Sequence, residues 1–89
     1  MGTVYIPVIQ PQDYSDFCRL LLGYLPDTVA EWDALRAERS QQATHHGEVV
    51  QNVAVDAAEF ARYLHATRAA ANLSALHHFA LEKSLGKQY

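Results

Sequence analysis

Residues 47–64 read GEVVQNVAVDAAEFARYL and predict a β-strand that passes directly into a capped helix. In residues 48–55 valines dominate, separated by small or neutral polar residues, which is typical of a mostly covered strand. Asp56 ends this strand, and Glu59 three residues later completes an acidic version of the capping box that begins a helix. With each residue turned by about 100°, mostly apolar side chains then share one helical face: Ala57, Phe60, Ala61, Tyr63, Leu64 and Thr67.

A second strand is predicted near the start of the chain. The stretch Thr3–Ile9, TVYIPVI, alternates so that both of its faces are partly apolar. Pro7 has no N–H for a sheet ladder, so we expect an edge strand or one whose Pro7 side faces away from its neighbour.

Asp13 follows a turn and is predicted to cap a first helix. Its apolar stripe comprises Tyr14, Phe17, Cys18, Leu21 and Leu25, widened by Leu20, Leu22 and Tyr24.

The second helix has less apolar surface than the first. Thr28 and Glu31 form the capping box that begins it, and we expect it to run to about Gln42. Residues 41–47 carry the chemistry of a turn that precedes the central strand. The buried edge of the second helix is narrow and comprises Val29, Trp32 and Leu35.

The third and fourth helices are predicted to follow each other closely. Residues 69–71 are alanines and should continue the third helix until Asn72. Asn72 either ends that helix in a left-handed conformation or caps the fourth helix. Gly86 is expected to end the fourth helix. One side of the fourth helix is apolar and comprises Leu73, Leu76, Phe79 and Ala80.

The predicted fold is a single α+β domain over residues 1–89, with two short strands and four helices in the order β-α-α-β-α-α and the helices packed on one sheet face. The two-helix crossover between the strands permits parallel pairing, and antiparallel pairing stays open. A two-stranded sheet is marginal on its own, and both of its faces carry apolar residues. We therefore expect a homodimer.

Composition narrows the class of protein. The chain of 89 residues has seven Lys and Arg against ten Asp and Glu, a formal charge of −3 that does not attract phosphate backbones, so nucleic acid is not an expected partner. The single cysteine excludes an internal disulfide, and no signal peptide opens the chain. No apolar run approaches the roughly 20 residues of a membrane span. We expect a soluble, cytoplasmic protein without a membrane partner.

Five histidines are the clearest chemical feature. A zinc site needs three or four converging ligands, whereas neighbours in sequence point about 100° apart on a helix. We therefore predict no metal or cofactor site and no catalytic residues, and keep as possible pocket residues His65, His77, His45 and His46.

Cys18 is interpreted as a small core residue because it shares the apolar stripe of Phe17 on the first helix. No nucleotide, hydrolase or redox motif is present, which favours a protein that is not an enzyme.

The leading functional hypothesis is an accessory protein that acts by protein–protein binding, as an adaptor or regulator. Its possible contact surface lies on the second helix and comprises Trp32, Arg36 and Arg39. Trp32 and Arg36 lie one turn apart, which favours a cation–π pair.

Two alternatives come from other classes of protein. One is a small enzyme or ligand- or metal-binding protein with a histidine-lined pocket at a dimer cleft. The other is a helix-turn-helix DNA-binding protein with residues 72–84 in the major groove. The side chains available for DNA contacts are Ser74, His77, His78 and Lys83. Net negative charge and few phosphate-binding cations count against this second alternative.

Overall fold

The computed structural model describes residues 2–89. The predicted order β-α-α-β-α-α is confirmed, and a short 3-10 turn at Pro11–Asp13 precedes the first helix. Both α2 and α4 contact both strands, so the α+β class is also confirmed. The elements are β1 (Thr3–Ile9), α1 (Tyr14–Leu20), α2 (Val29–His45), β2 (Val49–Val55), α3 (Ala57–Thr67) and α4 (Leu73–Ser84).

The two strands pair in parallel, with the register running from Thr3 opposite Val49 to Ile9 opposite Val55. The N–H of Val49 donates to the carbonyl of Gly2 at 2.9 Å. Because bonding direction alternates along a strand, this register turns the nitrogen of Pro7 toward the outer edge of β1. Pro7 therefore removes no hydrogen bond from the β1–β2 ladder, as its position in the sequence indicated.

The core is built from aromatic rings packed against one side of the sheet. Phe17, Phe60 and Phe79 are fully buried. The ring centroids of Phe60 and Phe79 lie 5.4 Å apart, and those of Phe17 and Phe60 lie 5.7 Å apart. These separations are in the range of favourable aromatic pairs. The strands contribute Ile9, Val53 and Val55 to the same cluster.

The opposite face of β2 is open. Successive side chains of a strand point to opposite faces, so Asn52 and Ala54 lie on the other side of β2 from Val53. Asn52 and Ala54 are exposed, whereas Val53 is buried. The helices therefore cover β2 on the face that carries the aromatic core.

Two aspartates hold the N-terminus of α3. Asp56 caps it as predicted, with its Oδ1 accepting from the N–H of Glu59 at 2.9 Å. Asp13 lies at the N-cap position of α1 as expected, but its side chain makes no capping bond there. Oδ2 of Asp13 instead accepts from the N–H of Ala57 at 2.7 Å. The 3-10 turn gives Asp13 a helical backbone, so its carboxylate is free to reach the neighbouring helix.

The second bond of the predicted capping box, from the Glu59 side chain back to Asp56, is not formed. The Glu59 carboxylate does not return to Asp56, and the residue is only 8% exposed. One oxygen of Glu59 accepts from Lys83 Nζ, and the other accepts from the N–H of Tyr89 at 3.4 Å. A buried carboxylate needs such partners to offset its lost hydration. Glu59 therefore links α3 to α4 and to the last residue of the chain.

Two helices end earlier than expected. The first was predicted to present Leu22 and Tyr24 in its apolar stripe, yet α1 ends at Leu20 and these two side chains are 78% and 51% exposed. The third does not continue through residues 69–71, because Arg68 adopts a left-handed conformation with φ 54°.

The helix α2 is longer than expected, and Asn72 has only one of its two predicted roles. The helix reaches His45, three residues beyond Gln42, so the predicted turn is confined to the end of that stretch. Asn72 begins α4, since its Oδ1 accepts from the N–H of Ala75 at 2.8 Å. Thr28 caps α2 as predicted, with Oγ1 accepting from the N–H of Glu31 at 3.2 Å.

We predict that Asp13→Ala lowers the free energy of unfolding by about 1 to 2 kcal/mol, because it leaves an N–H at the start of α3 without an acceptor. Asp16→Ala is the matched control, since Asp16 is exposed and pairs only with Arg19 on its own helix. That surface pair contributes about 0.5 kcal/mol or less. Urea unfolding followed by circular dichroism measures both variants. Equal losses would contradict the role of Asp13.

Candidate functional site

A cleft of about 280 Å³ lies between α2, β1 and the first half of α4. We refer to it as the Trp32 cleft. Its apolar lining comprises Ile6, Pro7, Trp32, Leu35 and Leu73. Its polar lining comprises Arg36, Glu38, Arg39, Gln42 and His77. The cleft therefore combines the predicted contact surface on α2 with one of the possible pocket histidines.

Helical spacing explains why these side chains converge. Trp32, Leu35, Arg36 and Arg39 lie on one face of α2, because residues three, four and seven apart are neighbours on a helix surface. On α4 the same rule pairs Leu73 with His77. The parallel crossover sets α2 alongside β1, where both strands contact it.

Two polar atoms of residues lining the cleft lack hydrogen-bond partners in residues 2–89. Trp32 is only 5% exposed, and its indole Nε1 is shielded from solvent without an acceptor. Nδ1 of His77 is shielded and unpartnered in the same way. An unsatisfied buried polar group costs about 1 to 3 kcal/mol. Such groups are rare in folded proteins and call for a structural explanation.

The two arginines that line the cleft differ in their ion pairing. Nη2 and Nε of Arg36 lie 2.8 and 3.2 Å from Asp33 Oδ1, so this cation is paired within α2. The predicted stacking of Arg36 on Trp32 is not observed in the described residues, where Lys83 makes the cation–π contact, 6.0 Å from the ring centre of Phe79. Arg39 forms no ion pair within residues 2–89.

His77 is held neutral by its surroundings. Burial lowers the pKa of this imidazole from its usual 6.5, and the nearby charge of Arg39 and then His78 lower it further. Both effects disfavour the protonated ring. At neutral pH the positive charge on this side of the cleft is therefore that of Arg39.

The other predicted pocket histidines lie elsewhere. His45 and His46 are exposed at the end of α2, with ring centres 5.8 Å apart, and His65 is exposed on α3. His77 is the one histidine that lines the Trp32 cleft. Within the part of the chain that the structure describes, no three His, Cys, Asp or Glu side chains are grouped to hold a metal ion.

The side chains considered for DNA contact are not equally available on α4. Lys83 is bound to Glu59, and His77 lines the Trp32 cleft, whereas Ser74 and His78 are exposed. The buried side of α4, which carries Leu76, Phe79 and Ala80, packs into the core.

The sequence predicted Trp32, Arg36 and Arg39 as one contact surface and His77 as a possible pocket residue, but it did not indicate that all four share one site. It also missed the contributions of Ile6 and Pro7 from β1. Helical spacing on α2 was the only local signal, because the contacts from β1 and α4 depend on the parallel strand pairing.

Comparison of the chain with protein-family models, with curated proteins and with solved structures found no match. No helix within residues 2–89 combines the length and the apolar composition that crossing a membrane requires.

We predict that His77 makes the protein less stable as the pH falls below 6.5, the usual pKa of the group. Between that value and the lowered pKa of the folded state, the unfolded chain takes up a proton that the folded chain does not. His77→Gln should therefore flatten the loss of stability between about pH 7 and 5, the range in which histidines titrate. Urea unfolding at several pH values measures this slope.

His65→Gln is the control, because it removes an exposed imidazole on α3 that is not among the groups lowering the pKa of His77. An NMR titration of the His77 ring that returned a pKa of 6.5 or above would contradict the burial described here.

Proposed function

We propose that this chain is a small protein-binding module, an adaptor or regulator, whose Trp32 cleft takes a segment of another protein. The supporting observation is a buried tryptophan with an unpartnered N–H in a cleft that also contains an unpaired arginine, Arg39. Tryptophan and arginine are enriched among the residues that dominate binding energy at protein interfaces.

Apolar surface at the rim of the cleft supports the proposal. Leu35 is 50% exposed although it lies on the same helical face as Trp32. Complete burial of a leucine side chain contributes about 1.5 to 3 kcal/mol, so covering its exposed half offers a partner about 1 kcal/mol. A partner segment that crosses α2 at this point would cover Leu35 and close the cleft.

The size of the cleft fits a side-chain anchor. Its volume of about 280 Å³ lies just below the range of roughly 300 to 1,000 Å³ that is usual for small-molecule sites. His77 also lacks a hydrogen-bonded partner at Nδ1 to orient it as a general base. The binding hypothesis therefore has more support than the enzyme alternative.

We predict that Leu35→Glu abolishes capture of the partner, because it places a carboxylate on the apolar rim of the cleft. Leu22→Glu makes the same change at a leucine that is 78% exposed and does not line the cleft, so it should bind like the unmodified chain. Affinity purification with mass spectrometry compares the three proteins. The captured protein, once purified, should then show at least about a tenfold weaker Kd for Leu35→Glu, equivalent to 1.4 kcal/mol. Equal binding by both variants would refute the proposed site.

We also propose that a second copy of the chain pairs with the outer edge of β2. In residues 2–89 no backbone hydrogen bond reaches this edge. Monomeric proteins protect such edges with lysine, proline or bulges. The strand Val49–Val55, VVQNVAV, contains no charged residue and no proline. The outer edge of β1, in contrast, carries Pro7.

Repulsion between like charges favours one register of this pairing over another. Two antiparallel copies of β2 related by a two-fold axis at Asn52 would set Glu48 against Asp56 of the second copy, and like charges directly opposite are destabilising. An axis at Gln51 sets Glu48 against Ala54 and avoids the clash. In this register Val49, which is 62% exposed, lies opposite Val53. The result is a four-stranded sheet shared by two copies.

We predict a dimer mass by light scattering at micromolar concentration, and a monomer mass for Gln51→Lys, which sets two lysines against each other at the two-fold axis. Gln41→Lys adds the same charge to an exposed position on α2 and should leave the dimer intact. A monomer mass for the unmodified protein would refute the proposed pairing.

We also propose that the protein is cytoplasmic. Cys18 is the one cysteine of the sequence and is a free, partly buried thiol next to the core. Small secreted domains commonly depend on several disulfides for stability. Here the aromatic cluster around Phe60 supplies that stability instead.

A further inference from the structure

We propose that the segment bound in the Trp32 cleft presents a carboxylate, beside an apolar side chain, to the indole N–H of Trp32 and the guanidinium of Arg39. This inference rests on the proposed role of the cleft and adds the chemical class of the ligand. The carboxylate belongs either to the C-terminus of the partner or to an acidic side chain, and both sources share the same recognition chemistry.

The indole N–H of Trp32 requires a hydrogen-bond acceptor from the ligand. Tryptophan offers a donor and no acceptor, so only a ligand atom with a lone pair can satisfy it. Trp32 is 95% buried, and its Nε1 has no such partner in residues 2–89. A ligand oxygen at this position removes the cost of the unpaired donor, which a purely apolar ligand leaves in place.

Arg39 defines the charge of the ligand. It lines the same cleft and makes no ion pair within the described residues, whereas Arg36 is already paired with Asp33. Glu38 also lines the cleft, but helical spacing sets it about 120° around α2 from Trp32, whereas Arg39 lies within about 20° of Trp32. A ligand oxygen that accepts from the Trp32 indole also lies near the Arg39 guanidinium. A negatively charged oxygen binds this guanidinium more strongly than a neutral one does.

The geometry of α2 allows both groups to reach one carboxylate. Arg39 follows Trp32 by two helical turns, about 10 Å along the axis. Side chains of an α-helix lean toward its N-terminus, which carries the long Arg39 side chain back toward Trp32. Nε1 of Trp32 is shielded from solvent, so a ligand oxygen reaches it when the side chains that cover it move aside.

The apolar lining sets the second requirement. Ile6, Pro7 and Leu73 form part of the cleft wall together with the indole. A ligand with a branched aliphatic side chain close to its carboxylate matches both the wall and the two donors. N-acetyl-leucine is the smallest probe with this combination, and N-acetyl-leucinamide is the matched neutral probe.

The test follows the indole N–H signal of the sole tryptophan by NMR during titration with these probes. N-acetyl-leucine should shift this signal downfield and bind about five- to tenfold more tightly than the amide, the effect of one charge-assisted contact. A third probe, acetyl-Leu-Glu-amide, carries its only carboxylate on a side chain. Whichever acid binds more tightly identifies the source of the carboxylate.

Arg39→Met should remove the preference for the acid over the amide, and Arg19→Met is the control because Arg19 lies outside the cleft and pairs with Asp16. Equal binding of acid and amide, or the absence of any shift, would overturn the carboxylate proposal. The protein-binding role is tested separately by partner capture with Leu35→Glu, so the two proposals fail independently.

Discussion

Parallel pairing of β1 with β2 is the constraint on which the rest of this structure depends. Parallel neighbours cannot be joined by a tight turn, so the chain must leave β1, cross over the sheet and return beside it. Residues 10–48 make that crossover and include α1 and α2. The crossover positions α2 beside β1, and α4 meets both, which creates the Trp32 cleft. Antiparallel pairing of the same strands would not bring these three elements together in this way.

A few long-range polar contacts fix the helices that the crossover brings near the sheet. Asp13 accepts from the N–H of Ala57, 44 residues later in the chain, and so ties the start of α1 to the start of α3. Glu59 binds Lys83 on α4 and the N–H of Tyr89. Around these contacts the aromatic rings close the core. Since each polar group is partly or fully buried, losing one partner leaves the other unsatisfied.

The small size of the sheet also explains the two surfaces proposed for binding. Two strands have only two edges, and they differ: β1 carries Pro7 and borders the Trp32 cleft, whereas β2 has an unprotected edge. A second copy at β2 and a partner segment at the cleft would therefore occupy different edges. The proposed dimer presents two clefts, which suits an adaptor that binds two copies of its partner.

The sequence by itself determined the features that depend on neighbours within about one helical turn. Strand alternation, the element order and the caps at Thr28 and Asp56 follow from such local signals, which left Asn72 either to end α3 or to cap α4. Tertiary structure alone decided the strand direction, the partners of Asp13 and Glu59, and the assembly of the cleft. These features depend on contacts between residues far apart in the chain, whose energies a local pattern does not contain. Trp32 and Arg39 were therefore visible as residues, whereas their common site with His77 was not.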